Sequence, residues 1–367
     1  MNSLTHPAWI EIDLNQFRSN LTQIRKKIGS SLLCFPVKAN AYGHGLVPIS
    51  IAAEAAGVDM IAVSCLQEAV ILRKAHIKCP ILVLGAIHEE QIDDLIDYNL
   101  EFSISSRFKA ELVAKKSRGR QCRVHLEVDT GMHRTGMRPE TAYALYQEMV
   151  LQPCFSIRGI YSHLATADEP NHSFVYRQIE AFAQLKQKIN NPAIIWHLAN
   201  SGGVYFYPDS HFDMVRPGLL CYGLIPDGSR DRELSPFFTL KARLSYFKVV
   251  GAGQGISYSH LYTTSRQTRI VTVPVGYGDG YCRSLTNRTS ILLRGKRYPA
   301  AGRICMDQFM VDVGDHEAYV GDVATLIGKD GKEEITLWDL ARLTESDPRE
   351  ILCRFNERIP RVYSDRV

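Results

Sequence analysis

Apolar residues recur along this chain in two rhythms, and the change from one to the other divides it. From about residue 11 to 230, short apolar runs alternate with amphipathic stretches. The first such stretch carries Phe17, Leu21, Ile24 and Ile28 at steps of 4, 3 and 4, which places them on one face of a helix. Strands are predicted at 32–37, 59–64, 80–84, 101–104, 122–128, 156–161, 193–197 and 213–222. Helical segments fall between them, among them 66–76 and 138–150. Eight β/α units over this length predict an α/β protein built on a (β/α)8 TIM barrel. A doubly wound open sheet competes with it. The barrel is favoured because the residues able to carry chemistry follow many different strands, as barrel sites require.

The polar segment 226–236, Pro-Asp-Gly-Ser-Arg-Asp-Arg-Glu-Leu-Ser-Pro, reads as a linker. Beyond it, runs at 245–250, 269–275, 290–294 and 323–327 are separated by Gly, Asp and Asn turns, and Lys329-Asp330-Gly331-Lys332 has the composition of a hairpin turn. This predicts a mostly β C-terminal domain. Trp9 to Asp13 alternates as a strand and is expected to join that domain before the barrel begins. The expected division is therefore 11–230 for the barrel and 231–367, with the N-terminal strand in 1–10, for the β domain.

The 367 residues suit two domains, and 45% hydrophobic with 22% charged residues is a globular balance with ample core. A net charge of +4 is small for this size and gives no case for nucleic-acid binding. Nine scattered cysteines, odd in number and without a C-x-x-C pair, suggest neither a disulfide framework nor a metal site, and fit a reducing cytoplasm. The N-terminal nonapeptide, Met1 to Trp9, lacks the basic and apolar regions of a signal peptide, and no stretch is long enough to span a bilayer.

The densest chemistry lies in Val37-Lys38-Ala39-Asn40-Ala41-Tyr42-Gly43-His44-Gly45. A lysine at the end of a buried strand is desolvated, which favours the neutral amine, and such an amine can form a Schiff base with an aldehyde cofactor. The glycines let the backbone approach a ligand. Taken alone, Lys38 reads first as a solvated loop lysine, since most lysines are solvated. Five further blocks accompany it: Val128 to Gly136 (VDTGMHRTG), His197 to Ser201 (HLANS), Met214 to Gly223 (MVRPGLLCYG), Ile256 to Tyr262 (ISYSHLY) and Gly302 to Gln308 (GRICMDQ).

In this order, and over nearly the whole chain, the six blocks resemble those of the alanine racemases, enzymes that use pyridoxal 5'-phosphate (PLP). The resemblance implies interconversion of L-alanine and D-alanine by two bases on opposite faces of Cα, supplying D-alanine for peptidoglycan. It implies that Lys38 holds PLP and is one base, and that Tyr258 is the other. A phenol of ordinary pKa about 10 is a weak base at neutral pH, so its phenolate needs support, which the resemblance assigns to His163. Without the resemblance, Tyr258 reads as a strand tyrosine packing its ring, and His163 as a core histidine.

The resemblance places Arg216 against the cofactor's pyridine nitrogen. An always-charged arginine cannot take a proton from that nitrogen, so the ring stays neutral and side reactions such as transamination are suppressed. A structural ion pair is the competing reading of Arg216. His197 is expected to hydrogen-bond Arg216. Phosphate binding falls to Ser201, the amides of Gly218 and Leu219, and the Tyr42 hydroxyl. Arg134 and the Met306 amide are expected at the substrate carboxylate, and Tyr277 at a narrow entrance. Cys305, beside Met306, has no basic partner in sequence and reads as packing. No metal is expected.

Two positions depart from the pattern. Glu127 stands where many relatives carry a lysine modified to a carbamate, and is expected to supply that negative charge directly. Glu357 stands where some carry a tyrosine before Arg-x-Pro-Arg. The resemblance also implies a cytoplasmic, head-to-tail homodimer in which Tyr258 and Met306 of one chain complete the site of the other. The competing functions are a PLP barrel decarboxylase of basic amino acids and a non-catalytic PLP-binding protein. Arg216 and the Tyr258 block argue against the first, the second domain against the other.

Overall fold

The computed structural model describes residues 6–365. Residues 1–5 of the proposed N-terminal segment, and 366–367 of the C-terminal domain, lie outside the described residues. The chain divides into two units, one formed by Gln16–Ala41 and Gly45–Pro236, the other by Met1–Asn15, Tyr42–His44 and Phe237–Val367.

The first strand, β1 (Ala8–Asp13), belongs to the second unit. The next eight close into a parallel barrel: β2 (Leu32–Pro36), β3 (Met60–Val63), β4 (Ile81–Val83), β5 (Glu101–Ile104), β6 (Cys122–Glu127), β7 (Phe155–Tyr161), β8 (Ile195–His197) and β9 (Met214–Val215). Closure is made where Leu32 and Leu33 of β2 pair with Met214 and Val215 of β9. Seven of the eight predicted strands are matched closely. The exception is 213–222, where only Met214–Val215 is strand and Leu219–Tyr222 forms a 3-10 turn. The cause is Arg216-Pro217-Gly218: proline offers no N–H to a ladder, and glycine weakens a strand.

Helices cover the barrel as their apolar stripes dictate. In Leu14–Ile28 the buried residues are Phe17, Asn20, Leu21, Ile24 and Ile28. Pro139–Met149 begins with proline at a position that needs no N–H donor. Ser201–Phe206 starts where the Asn200 side chain accepts from the Gly203 N–H at 3.0 Å.

The second unit contains a seven-stranded sheet, a three-stranded sheet and a two-stranded ribbon. Its strands are β10 (Phe238–Arg243), β11 (Tyr246–Val250), β12 (Gly255–Ile256), β13 (Tyr262–Thr263), β14 (Thr268–Val273), β15 (Ser290–Leu293), β16 (Lys296–Pro299), β17 (Phe309–Gly314), β18 (Val323–Asp330), β19 (Glu333–Ile335) and β20 (Arg361–Ser364). As the alternation at Trp9 to Asp13 predicts, β1 enters this sheet, antiparallel to β10 and parallel to β20. The expected turn at 329–332 joins β18 and β19, with Asp330 paired to Glu333. Two helices that the β rhythm does not predict, Leu337–Thr344 and Pro348–Arg354, also occur here. The first opens with a reciprocal Thr336–Asp339 capping box.

Candidate active site

Lys38 follows the buried strand β2 and is half-buried. The four residues after it, Ala39, Asn40, Ala41 and Tyr42, all have φ between 50 and 56°. A left-handed turn of four non-glycine residues is costly and persists only where its surroundings enforce it, as at binding sites. The Asn40 side chain does part of this, accepting from the Leu46 N–H at 2.7 Å.

The C-terminal ends of β6, β7 and β8 lie level with one another, pairing Glu127 with Tyr161 and Tyr161 with His197. Arg216, two positions beyond Met214 of β9, reaches this level and is 4% exposed. Its Nη1 donates to His197 Nδ1 at 2.8 Å and to the His197 carbonyl at 2.9 Å. Its Nη2 donates to the Ser162 carbonyl at 2.6 Å, with His163 Nδ1 farther off at 3.5 Å. The guanidinium also lies over the Tyr161 ring, which stacks on His197.

Every partner of Arg216 here is an uncharged acceptor, so the ion-pair reading of this residue gains no support. Its Nε–H has no hydrogen-bond partner among the described residues. A donor left over on a largely buried side chain fits an acceptor nitrogen supplied by a bound ligand. Burial lowers Arg216 from the ordinary arginine value, opposed by the nearby Cys34, Tyr161 and Glu127. Burial, then the charges of Arg216 and His125, press His197 well below its ordinary value. The ring is thereby kept neutral, and because arginine can only donate, the nitrogen facing it, Nδ1, is the one without a proton.

Glu127 is 9% exposed and accepts from the Thr135 hydroxyl at 2.6 Å. Burial raises its carboxyl pKa, against the lowering effects of Thr135, Arg134, Tyr161 and Arg216. Arg134 itself is exposed and acts on Glu127 through its charge. The raised pKa has a stability consequence of definite sign. A carboxyl raised on folding stabilises below its unfolded value near 4.5, and this contribution is lost as pH rises through the folded value. Glu127→Gln, which keeps an acceptor for Thr135, is therefore expected to raise Tm relative to the parent at neutral pH. The difference should shrink towards zero below about pH 4.5. Thermal melts of both proteins between pH 4 and 8 check this; a gap that widens on acidification contradicts it.

Ser201 and the turn at Gly218 and Leu219 are brought together: the Ser201 hydroxyl accepts from the Leu220 N–H at 3.1 Å. These three of the four predicted phosphate-binding residues are buried. With its oxygen already accepting, the Ser201 hydroxyl can donate its own proton to an anion. Tyr42, also buried, belongs with Gly43 and His44 to the second unit.

In that second unit, Tyr258 sits on the turn of the β12–β13 ribbon and is 68% exposed, so it does not pack its ring in a strand. Ser257, Ser259 and His260 around it all have positive φ, another concentration of strain. The Ser257 hydroxyl donates to the Arg303 carbonyl at 2.8 Å, tying the Tyr258 turn to the loop that carries Met306. The Tyr277 N–H donates to the Cys305 carbonyl at 3.1 Å, and Gly278 to that of Met306 at 2.8 Å. Tyr258, Tyr277 and Met306 thus gather around one loop, and all three side chains are exposed. Arg358 braces the group, donating to Asp307 at 2.8 Å and lying 3.3 Å from the buried Asp279 carboxylate. Its neighbour Glu357 is exposed, and Cys305 is half-buried, its thiol meeting the Ser257 hydroxyl and the Arg303 carbonyl.

Inspection of motifs alone missed Glu101, His125, Tyr161 and Ser162. Their signal was polar residues at alternate positions of barrel strands: Glu101 and Ser103 on β5, and His125 and Glu127 on β6, share an inward face.

A closed parallel barrel with a strained lysine turn at one strand end and a buried arginine at another, in a chain carrying a β-rich second unit, defines a two-domain barrel protein with a polar site at the strand ends. Family models agree. The N-terminal domain of alanine racemase matches residues 12–226, and the C-terminal domain of alanine racemase matches 237–363. The chain belongs to the alanine racemase family. It is 41% identical to the alanine racemase of Symbiobacterium thermophilum, over 97% of each chain. With that of Halothermothrix orenii it shares 38% identity, over 99% of this chain and 98% of the other. Among solved structures, the alanine racemase of E. faecalis superposes with a TM-score of 0.94 at 35% identity, covering 98% of both chains.

Proposed function

We propose that this protein is a PLP-dependent racemase that interconverts L-alanine and D-alanine by a two-base mechanism and supplies D-alanine for peptidoglycan. Arg216 carries this reading: a buried guanidinium held by neutral acceptors, with one donor left unused. Such a group suits a cofactor ring kept unprotonated, whereas a decarboxylase or transaminase profits from a stronger electron sink. The residues fit the cofactor. Lys38 would hold it, Arg216 would donate to its ring nitrogen, and Ser201, the amides of Gly218 and Leu219, and Tyr42 would bind its phosphate. Bound there, PLP would make the substrate Cα–H acidic enough to ionise.

The chain's own groups do the rest. Arg134 and the Met306 amide hold the substrate carboxylate. Tyr258 Oη removes the Cα proton of L-alanine from one face, with His163 supporting its phenolate. Lys38 Nζ delivers a proton to the opposite face, giving D-alanine, and the reverse reaction exchanges the two roles. Tyr277 narrows the entrance. Glu127 supplies charge near Arg134. We further propose a head-to-tail homodimer in which Tyr258 and Met306 of one copy serve the barrel of the other. The exposure of Tyr258, Tyr277 and Met306 supports it, since large side chains gathered on a surface loop mark an interaction site. Nine free cysteines support a cytoplasmic location.

Proton NMR of L-alanine in deuterated water with the protein and PLP, followed by chiral analysis of the same sample, tests the reading. Loss of the α-proton signal with growth of D-alanine is expected. Exchange on other amino acids but not on alanine would reject alanine as substrate. Loss of the carboxylate from a basic amino acid would favour the decarboxylase.

A further inference from the structure

We propose that Glu101 and His125 are positioning residues for Arg216: with His197 they form a one-way hydrogen-bond chain through the barrel interior that fixes the tautomer of His197 and so holds the arginine in a single orientation. Arg216 Nη1 lies 2.8 Å from His197 Nδ1, His197 Nε2 lies 2.8 Å from His125 Nδ1, and His125 Nε2 lies 2.7 Å from Glu101 Oε2. Only one assignment of protons satisfies these three contacts. Arginine can only donate, so His197 Nδ1 accepts. The His197 proton is then on Nε2 and is donated to His125 Nδ1. His125 must carry its proton on Nε2, and the Glu101 carboxylate accepts it. Reversing the middle bond would strip His197 of both protons.

The burial of the chain gives it weight. Glu101 is 3% exposed, and His125 and His197 are 0%. Barrel interiors are normally filled by apolar side chains, and three ionisable groups there are costly unless mutually satisfied. The fold also makes room for them. A side chain at Gly159, in the middle of β7, would collide with the His125 ring, so the glycine leaves the space that the ring occupies. A glycine inside a strand weakens it, and close approach by a neighbour is the usual reason to find one there. At the far end, the Arg158 guanidinium is 3.9 Å from the other Glu101 oxygen, and the Glu101 carboxyl is held below its ordinary value despite burial, by His125, Arg158 and Arg123. The terminal acceptor therefore keeps its charge.

This inference rests on Arg216 facing the cofactor ring, but its test does not depend on racemisation. Histidine ring nitrogens are labelled with 15N in the full chain, and long-range proton–nitrogen correlations are recorded with PLP added and again without it. In the parent, His125 and His197 should each carry a proton on Nε2 alone. His125→Leu should release His197 into a mixture of tautomers. His125→Gln, whose amide accepts at one atom and donates at the other, should restore the single tautomer. Loss of kcat in the leucine variant should be roughly tenfold in both directions with little change in KM, the scale seen when the outer partner of a ligating histidine is lost. The glutamine variant should recover most of it. A proton on Nδ1 of His197 in the parent overturns the proposal, and so does a folded leucine variant whose His197 tautomer is unchanged. Should the leucine variant not fold, the parent and glutamine spectra decide: Nδ1–H on His197 in either rejects the chain of donors.

Discussion

Lys38→Ala is expected to abolish exchange of the alanine α-proton in both directions, by at least about 10³-fold, and to remove the visible absorbance that PLP gains when held by the protein's amine. Two losses combine. One is the proposed anchoring of the cofactor beside the strained left-handed turn from Ala39 to Tyr42. The other is the base on one face of Cα, and proton transfer by a positioned side chain is alone worth roughly 10² to 10⁴ in rate. The two are separable. A small primary amine added to the variant can carry a proton to Cα but cannot anchor anything, so it should restore part of the exchange while PLP remains easily dialysed. A variant that keeps activity within about tenfold of the parent would remove Lys38 from both roles. The fold should be unaffected, because Lys38 lies beyond β2 and is only half-buried, so melting should change little.

The sequence disclosed architecture and chemistry unequally, for physical reasons. The barrel strands announce themselves because short strands surrounded by helices must be apolar, and Leu33, Phe35, Ile61, Leu82, Phe102 and Val124 are all fully buried. The failure at 213–222 has the same logic reversed: Leu219, Leu220 and Tyr222 are as apolar as a strand and as buried as one, yet Pro217 and Gly218 send the backbone into a 3-10 turn. Burial was legible there; backbone conformation was not. The β-unit helices at 337–344 and 348–354 were missed because each is short, so periodicity has little length in which to show. Their caps, Thr336 and Asp347, were the available signal.

Among candidate site residues, those inside contiguous motifs could be proposed from the chain. Those that reach the site only through strand register could not. His125 and Glu101 are far apart in sequence and meet because β5 and β6 pair with Ser103 opposite His125. Tyr161 was visible only as the residue before Ser162 and His163, though Arg216 lies over its ring and Glu127 is paired with it across β6 and β7. Polar side chains on the inner face of a barrel strand are costly unless satisfied, so their appearance at alternate positions is itself a pointer to function.

Tyr258→Phe separates the two faces of Cα. The substitution removes one oxygen from a side chain that is 68% exposed, so the fold has little reason to respond. In deuterated water, L-alanine should then lose α-proton exchange by about 10²- to 10⁴-fold, because no other base is assigned to its face. D-alanine should behave differently. Lys38 can still remove its proton and return a solvent deuteron to the same face, so D-alanine should become deuterated while almost no L-alanine forms. Equal loss of exchange from both enantiomers would undo the assignment of faces. The same pair of variants tests the shared dimer. In a mixed dimer of Lys38→Ala and Tyr258→Phe chains, one site would combine both lesions and the other would combine Lys38 of one chain with Tyr258 of its partner. With random pairing, half the dimers are mixed and each has one intact site of two, so mixing should restore about a quarter of the parent activity. Two inactive proteins that stay inactive after dissociation and reassembly would place Lys38 and Tyr258 in the same chain's site, and the head-to-tail arrangement would be lost with them.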